Sequence, residues 1–123
     1  MVEPQHMRTV MEQYAVAVSA GDVEAILSFY ADDGSCQVPV GGPVQEGIGA
    51  IRAFYEGNEL AETLVLTGPV RVAGNEAAAP MVARVCFDGV DYELDVVDVA
   101  VFDDDGLLTS LRAFFSLDCL RAV

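Results

Sequence analysis

The sequence contains no lysine and no tryptophan, and its basic residues are limited to six arginines and the single histidine His6. Twenty aspartates and glutamates give it a formal net charge of −14 at pH 7. Such a charge repels phosphate backbones and anionic lipid surfaces, so we expect no binding to nucleic acid or membranes. No apolar run approaches the roughly 18 residues of a membrane helix, and the first residues follow a charged helical pattern unlike that of a signal peptide. We therefore expect a cytoplasmic protein.

Cysteine and histidine are too few for several kinds of site. The three cysteines Cys36, Cys86 and Cys119 are an odd number and lack the spacing of zinc ligands. His6 lies near a terminus that we expect to be mobile. These residues therefore predict no disulfide framework, no metal site and no Ser/His/Asp triad.

Length and composition predict a single domain over residues 1–123. The chain is 53% hydrophobic, which is enough to build one core, and it is too short for two ordinary domains. It shows no internal repeat, linker or low-complexity stretch.

Helical periodicity dominates the first half of the chain. Apolar residues at helical spacing predict a helix over residues 5–20, which Gly21 closes. Asp22 can cap a second helix, which the polar run over residues 31–34 ends, and a third helix follows. The apolar faces of the second and third predicted helices carry Val23, Ile26, Leu27 and Tyr30, and Ile48, Ile51, Phe54 and Tyr55.

Strand periodicity dominates the second half. A short extended segment is predicted over residues 35–40, and from Glu62 onward the apolar period becomes two. The turn signals Asp88-Gly89 and Asp105-Gly106 divide this part into long antiparallel strands. The order indicates an α+β protein with three N-terminal helices packed on one face of a curved, mostly antiparallel sheet.

One carboxyl interrupts the apolar face of a predicted strand. Every second residue from Val90 to Phe102 is apolar or aromatic except Asp98, so this row should face the helices. Because the chain has no lysine to pair with it, burial should raise the pKa of Asp98 and make it a protonated donor at neutral pH. The alternative is a carboxyl at a bulge or sheet edge that water still reaches.

Three of the four tyrosines, Tyr14, Tyr30 and Tyr55, fall on the apolar faces of the three predicted helices. Buried phenols need hydrogen-bond partners, and on converging faces they can bond one another. Beside a neutral Asp98 they would form a donor network suited to an oxygen that gains negative charge, as a carbonyl does on becoming an enolate. The alternative is that these tyrosines only fill the core.

The outward face of the strands predicts association. It brings Val97, Val99 and Val101 together with Phe114 of the neighbouring strand, and such a patch is large for a small monomer. We therefore expect a homodimer.

Short motifs along nearly the whole chain resemble the bacterial ketosteroid isomerase (steroid delta-isomerase) family. Each motif is weak alone, but together they occur in the family's order without large gaps. They are Tyr14, Gly21-Asp22, Phe29-Tyr30-Ala31-Asp32-Asp33, Pro39, Gly41, Ile51-Arg52-Ala53-Phe54-Tyr55, Thr67-Gly68-Pro69-Val70-Arg71, Asp95-Val96-Val97-Asp98 and Leu111-Arg112-Ala113-Phe114-Phe115.

The resemblance implies a cone-like fold of the NTF2-like kind with a deep apolar pocket, a homodimer and no cofactor. It also implies isomerisation of a Δ5-3-ketosteroid to its Δ4 form. The family is the well-known example of an oxyanion hole made of a tyrosine and a protonated aspartate, and these positions match Tyr14 and Asp98. The supporting phenols match Tyr30 and Tyr55. The substrate-pocket residues implied here are Val38, Phe54, Met81 and Phe115.

The sequence departs from the family at the general base. The family's aspartate just before the matched proline is replaced by Val38, which cannot carry a proton. A displaced base is one alternative, either Glu46 beyond the next loop or Cys36 on the same strand face. Glu46 could equally be a solvated residue at a helix start, and Cys36 a small buried side chain.

Two further alternatives stay open. The chain could perform other chemistry of the same fold, such as cyclisation or decarboxylation of an apolar carbonyl compound. It could also be a binding protein for a steroid-like ligand, or a variant deprived of its base, since fold alone does not choose the function.

Overall fold

Three helices form one layer of the structure. The computed structural model describes residues 2–57 and 61–123. Gly21 ends the first helix in the left-handed conformation with φ of 65°, and the Asp22 carboxylate caps the second by accepting a hydrogen bond from the Ala25 amide at 3.1 Å. No helix among these residues is long and apolar enough to cross a membrane. The helices are α1 (Pro4–Ala20), α2 (Val23–Ser28) and α3 (Ile48–Gly57).

The second layer is one curved, mixed sheet. Within the described residues eight strands pair in the order β2-β1-β7-β6-β5-β3, with β4 also beside β5 and β8 beside β6. All pairs are antiparallel except β1 with β7, which is parallel. The strands are β1 (Tyr30–Gln37), β2 (Val44–Glu46), β3 (Thr63–Leu66), β4 (Arg71–Ala73), β5 (Glu76–Phe87), β6 (Val90–Phe102), β7 (Leu108–Phe114) and β8 (Leu120–Ala122), with a 3-10 turn at Leu117–Cys119.

The core lies between the helices and the inner face of the sheet. Inward positions alternate along β5 and β6 as the sequence predicts, so the α+β architecture with helices on one sheet face is confirmed. Each large apolar side chain buried in this way stabilises the fold by about 1.5–3 kcal/mol relative to exposure. The fully buried large side chains include Met7, Met11, Ile26, Ile51, Met81, Phe102, Leu108 and Leu111.

The prediction that Tyr30 lies on the second helix is wrong. Helix α2 ends at Ser28, and Tyr30 is the first residue of β1. The Phe29 carbonyl accepts a hydrogen bond from the Leu108 amide at 2.8 Å, and Tyr30 pairs with Leu108 in the parallel ladder. Pairing with a strand almost 80 residues away therefore replaces another helical turn, and local periodicity does not contain this information.

Contacts with the turn between β6 and β7 hold His6 near the start of the chain. The residue lies in the first turns of α1, and its Nε2 donates a hydrogen bond to the Gly106 carbonyl at 2.8 Å. The ring also packs edge-on against Phe102 with 6.3 Å between centroids. His6 therefore fixes the start of α1 to the turn between β6 and β7.

Candidate active site

A cavity of about 250 Å³ lies between α1, α3 and the inner faces of β5, β6 and β7. Eleven of its fourteen lining residues are apolar, and the other three are Tyr14, Tyr55 and Asp98. The volume is close to the lower end of small-molecule sites, which begins at roughly 300 Å³. An apolar cavity with a few polar groups suits an apolar ligand that carries one polar atom.

Three phenols from three different elements form a connected hydrogen-bond network. Tyr55 of α3 is at its centre, because its hydroxyl lies 2.9 Å from that of Tyr14 on α1 and 2.8 Å from that of Tyr30 on β1. Tyr14 and Tyr55 reach the cavity, whereas Tyr30 stands behind them. Burial raises the pKa of all three phenols well above its usual value, so they are neutral hydrogen-bond donors.

Asp98 is the one carboxyl among the described residues that line the cavity. It lies on the inner face of β6 and is only 3% exposed. Its cross-strand neighbours are Ala79 on β5 and Ala113 on β7, and their small side chains leave room for the carboxyl.

The electrostatics of Asp98 follow from its burial. Desolvation raises the pKa of its carboxyl to about 7, and no arginine of the described chain forms an ion pair with it. The direction agrees with the prediction from sequence, but a carboxyl with this pKa is divided between its two forms at neutral pH. A negative charge on Asp98 also helps raise the pKa of Tyr14, second to burial, and both residues line the cavity.

Val38, the position that the resemblance assigns to the general base, lines the cavity. It follows the last residue of β1 and precedes Pro39, to which it is joined by a cis peptide bond. The structure therefore presents an apolar side chain to the cavity at this position. Phe54 and Phe115 line the same cavity.

Glu46 is not positioned as a displaced base in this structure. It lies on β2 opposite Ser35, is exposed to solvent, and is absent from the cavity lining. A carboxylate there already has water around it and gains nothing by entering an apolar cavity.

Cys36 does not fill the role of a base either. Its side chain is fully buried behind the phenols, with Sγ 3.5 Å from the Tyr55 hydroxyl. Burial raises the pKa of this thiol, so it holds its proton at neutral pH.

Met81 is the one predicted pocket residue that the described cavity does not include. It is fully buried on the inner face of β5, between Leu66 and Val96 in the ladder. The cavity lies farther along the strand, where Ala83 and Val85 contribute to its wall. The alternation of a strand shows which face a residue occupies but not how far along that face a cavity extends.

A second group of polar side chains lies outside the cavity. Ligand atoms of Glu62, Cys86 and Asp91 lie within 4.8 Å of one another, and all three residues are exposed. Sequence spacing did not reveal this group, because Cys86 and Asp91 meet only through the pairing of β5 with β6. Exposed acidic groups of this kind are common without a bound ion.

Comparisons with known proteins identify relatives of the chain in sequence and in structure. The SnoaL-like domain family matches residues 11–111. A curated relative, the steroid delta-isomerase of Nocardioides simplex, is 35% identical over 112 residues, which cover 89% of each chain. A solved structure of SalBIII, described as an epoxide hydrolase/cyclase-like enzyme in pyran ring formation in the polyether salinomycin, matches the whole of both chains with a TM-score of 0.88 and 25% identity.

These matches decide the family. The chain belongs to the SnoaL-like proteins and, within them, to the ketosteroid isomerase family.

Proposed function

We propose that the chain is an isomerase that binds a small apolar carbonyl compound, such as a Δ5-3-ketosteroid, and stabilises its dienolate. The observation that carries this proposal is that two donors, Tyr14 and Asp98, line a cavity in which Tyr55 is the one other polar residue among the described lining. The relative named as a steroid delta-isomerase supports the same substrate class.

The chemistry follows from where charge develops. When a proton leaves the carbon next to the carbonyl, negative charge moves to the carbonyl oxygen. Tyr14 and the protonated form of Asp98 each donate a hydrogen bond to that oxygen, and both are held in place before the reaction starts. The apolar wall excludes water, which strengthens these bonds relative to bulk solution. The site therefore favours the charged dienolate over the neutral ketone.

The site lacks a general base at the position where this reaction needs one. A positioned general base contributes about 10² to 10⁴ in rate, and Val38 provides none. We therefore propose slow turnover in the natural sequence, with the proton moved by a group less well placed than a carboxylate at position 38.

The decisive experiment restores the base. Val38→Asp should raise turnover of a Δ5-3-ketosteroid, followed by absorbance of the conjugated product, by at least about 10²-fold. Burial of the new carboxylate should lower the free energy of unfolding by about 1–3 kcal/mol. Val38→Asn is the matched control, because it adds similar polarity without a group basic enough to abstract the proton, and it should gain little.

Three outcomes contradict parts of the proposal. A folded Val38→Asp variant that binds a dienolate analogue without gaining rate would show that the cavity is not arranged for this reaction. Fast turnover of the wild type that Glu46→Gln abolishes would show that loop movement brings Glu46 into use as the base. Tight binding of the analogue with no turnover in any variant would indicate a ligand-binding protein.

A cyclase is the second candidate function. It is favoured by the likeness to SalBIII together with a cavity lining that contains one acid and no second carboxylate. In that reaction Asp98 would protonate an epoxide oxygen as an internal hydroxyl attacks the ring carbon, and the proton lost by the hydroxyl would return to Asp98. Cyclisation of a small epoxy alcohol that Asp98→Asn slows, while Val38→Asp brings no gain with steroid, would select this function.

A further inference from the structure

We propose that Cys36 is a positioning residue that directs the protons of the phenol network toward the cavity. This inference rests on the proposed function, because it concerns how Tyr14 becomes free to donate to a ligand oxygen. It starts from one geometric fact, which is that the Tyr55 hydroxyl has three neighbours: Tyr14 at 2.9 Å, Tyr30 at 2.8 Å and the Cys36 sulfur at 3.5 Å.

Counting hydrogens fixes the direction of each bond once a ligand oxygen is bound. Tyr14 has one hydroxyl hydrogen and donates it in a hydrogen bond to the ligand oxygen. The short contact between Tyr14 and Tyr55 still needs a hydrogen, so Tyr55 must supply it. The contact between Tyr55 and Tyr30 then needs the hydrogen of Tyr30 for the same reason.

The thiol completes this arrangement. After donating to Tyr14 and accepting from Tyr30, the Tyr55 oxygen has one acceptor position left. The Cys36 sulfur interacts with both Tyr30 and Tyr55, and although it is a weak acceptor, it carries a hydrogen that can point at the free position of Tyr55. Burial keeps this thiol protonated, and no solvent reaches the sulfur to compete for it. Every hydrogen of the group then points toward the ligand.

The consequence concerns the donor strength of Tyr14. A hydroxyl that accepts two hydrogen bonds is a stronger donor, and this effect passes along a chain of bonds. Cys36 therefore acts on the ligand through Tyr55 and Tyr14 without touching it. An apolar residue of the same size at position 36 would preserve the packing but leave one acceptor position of Tyr55 empty.

The test uses 4-nitrophenol as the probe, because its phenolate is the coloured form and its oxygen imitates the dienolate oxygen. The ratio of bound phenolate to bound phenol at fixed pH measures how strongly the site donates hydrogen bonds. Relative to wild type, Cys36→Val should lower this ratio about two- to fivefold, the effect of one weak hydrogen bond. Cys36→Ser should restore it, because its hydroxyl again donates to Tyr55.

Two controls keep the result specific. Ile26→Val changes a fully buried residue outside the cavity lining and corrects for a general loss of packing. Tyr14→Phe removes the donor itself and should lower the ratio more than any change at position 36. If Cys36→Val does not fold, Cys36→Ala removes the same hydrogen from a smaller side chain.

The outcomes separate this inference from the proposed function. An unchanged ratio in Cys36→Val, or equal losses in the Val and Ser variants, would overturn the role of the thiol hydrogen. A wild-type protein that binds no phenolate would overturn the proposed function, and the role of Cys36 with it. A loss in the Val variant that serine restores is the result expected.

Discussion

Asp98 makes the candidate site costly to fold at neutral pH. Its folded pKa is about 7, whereas an unfolded aspartate titrates near 4. Between about pH 4 and about pH 7 the folded chain keeps a proton on Asp98 that the unfolded chain has released. The free energy of unfolding therefore falls as the pH rises through this range. Above it, both states are ionised and the loss is complete.

Replacing this carboxyl should therefore remove a pH dependence. The difference in free energy of unfolding between wild type and Asp98→Asn should shift by about 2–3 kcal/mol from about pH 5 to about pH 8, with the wild type losing stability. Urea denaturation at a series of pH values measures it. Parallel curves for the two proteins would show that the Asp98 carboxyl is not protonated preferentially in the folded state.

Single residues were predictable where they broke a pattern. Asp98 was recognisable as the one carboxyl in an apolar row, and Val38 as an exception within the Pro39 and Gly41 frame. Met81 and Glu46 were harder to place, because the sequence gives the face of a strand but not the extent of a cavity or the path of a loop. The extent of a cavity and the path of a loop depend on how elements that are distant in the sequence pack together.

At the scale of elements, the turn between β6 and β7 combines local and distant contacts. The Asp103 carboxylate accepts hydrogen bonds from the Asp105 and Leu107 amides at 3.0 and 2.9 Å, within the turn that Asp105-Gly106 predicts. Gly106 has φ of 82°, and a Cβ there would lie 2.7 Å from the His6 ring. The turn thus needs glycine both for its conformation and for the contact with α1.

A pair of alanine substitutions separates these two requirements. Gly106→Ala should destabilise the protein by about 1–3 kcal/mol, from backbone strain together with displacement of His6. Gly89→Ala meets a similar φ of 77° in open space, so it should show only the strain. Thermal unfolding of both variants measures the difference, and equal losses would mean that the His6 contact contributes nothing.

Elements that depend on local periodicity were predicted well, and those that depend on distant pairing were not. The end of α1 follows from apolar spacing and from Gly21, and α3 lies where apolar spacing predicts a third helix. The early end of α2 and the parallel pairing of β1 with β7 depend on Leu108, far along the chain. Tyr30 nevertheless takes part in the phenol network, although it does so from a strand. The sequence predicted that this residue is buried but assigned it to the wrong element.

At the scale of the whole molecule, the outer face of the sheet carries apolar side chains, whereas monomeric proteins usually place polar side chains on such a face. Val97 and Phe114 are cross-strand neighbours, and each is 41% exposed. Val99 and Val101 continue the same face of β6 and are partly buried. Phe114 also lies under the Arg112 guanidinium, 5.1 Å from its ring centroid.

We expect this face to join two copies of the chain. Sedimentation at micromolar concentration should give the mass of a dimer, and Phe114→Glu should shift it to that of a monomer, because it places a charge in the apolar patch. A charge of −14 on each copy adds repulsion that salt screens, so low ionic strength should loosen the dimer. A wild-type monomer under all these conditions would contradict the expectation.

The depth of Cys36 has a practical consequence. Cys86 is exposed and Cys119 partly so, whereas Cys36 is completely enclosed beside the phenols. We therefore expect a thiol reagent to label Cys86 first and to reach Cys36 only when the structure around it opens. The labelling rate of that sulfur measures how often the wall behind the cavity opens. A compound that fits the cavity and stabilises the closed state slows the labelling, so candidate ligands can be ranked without knowing the reaction.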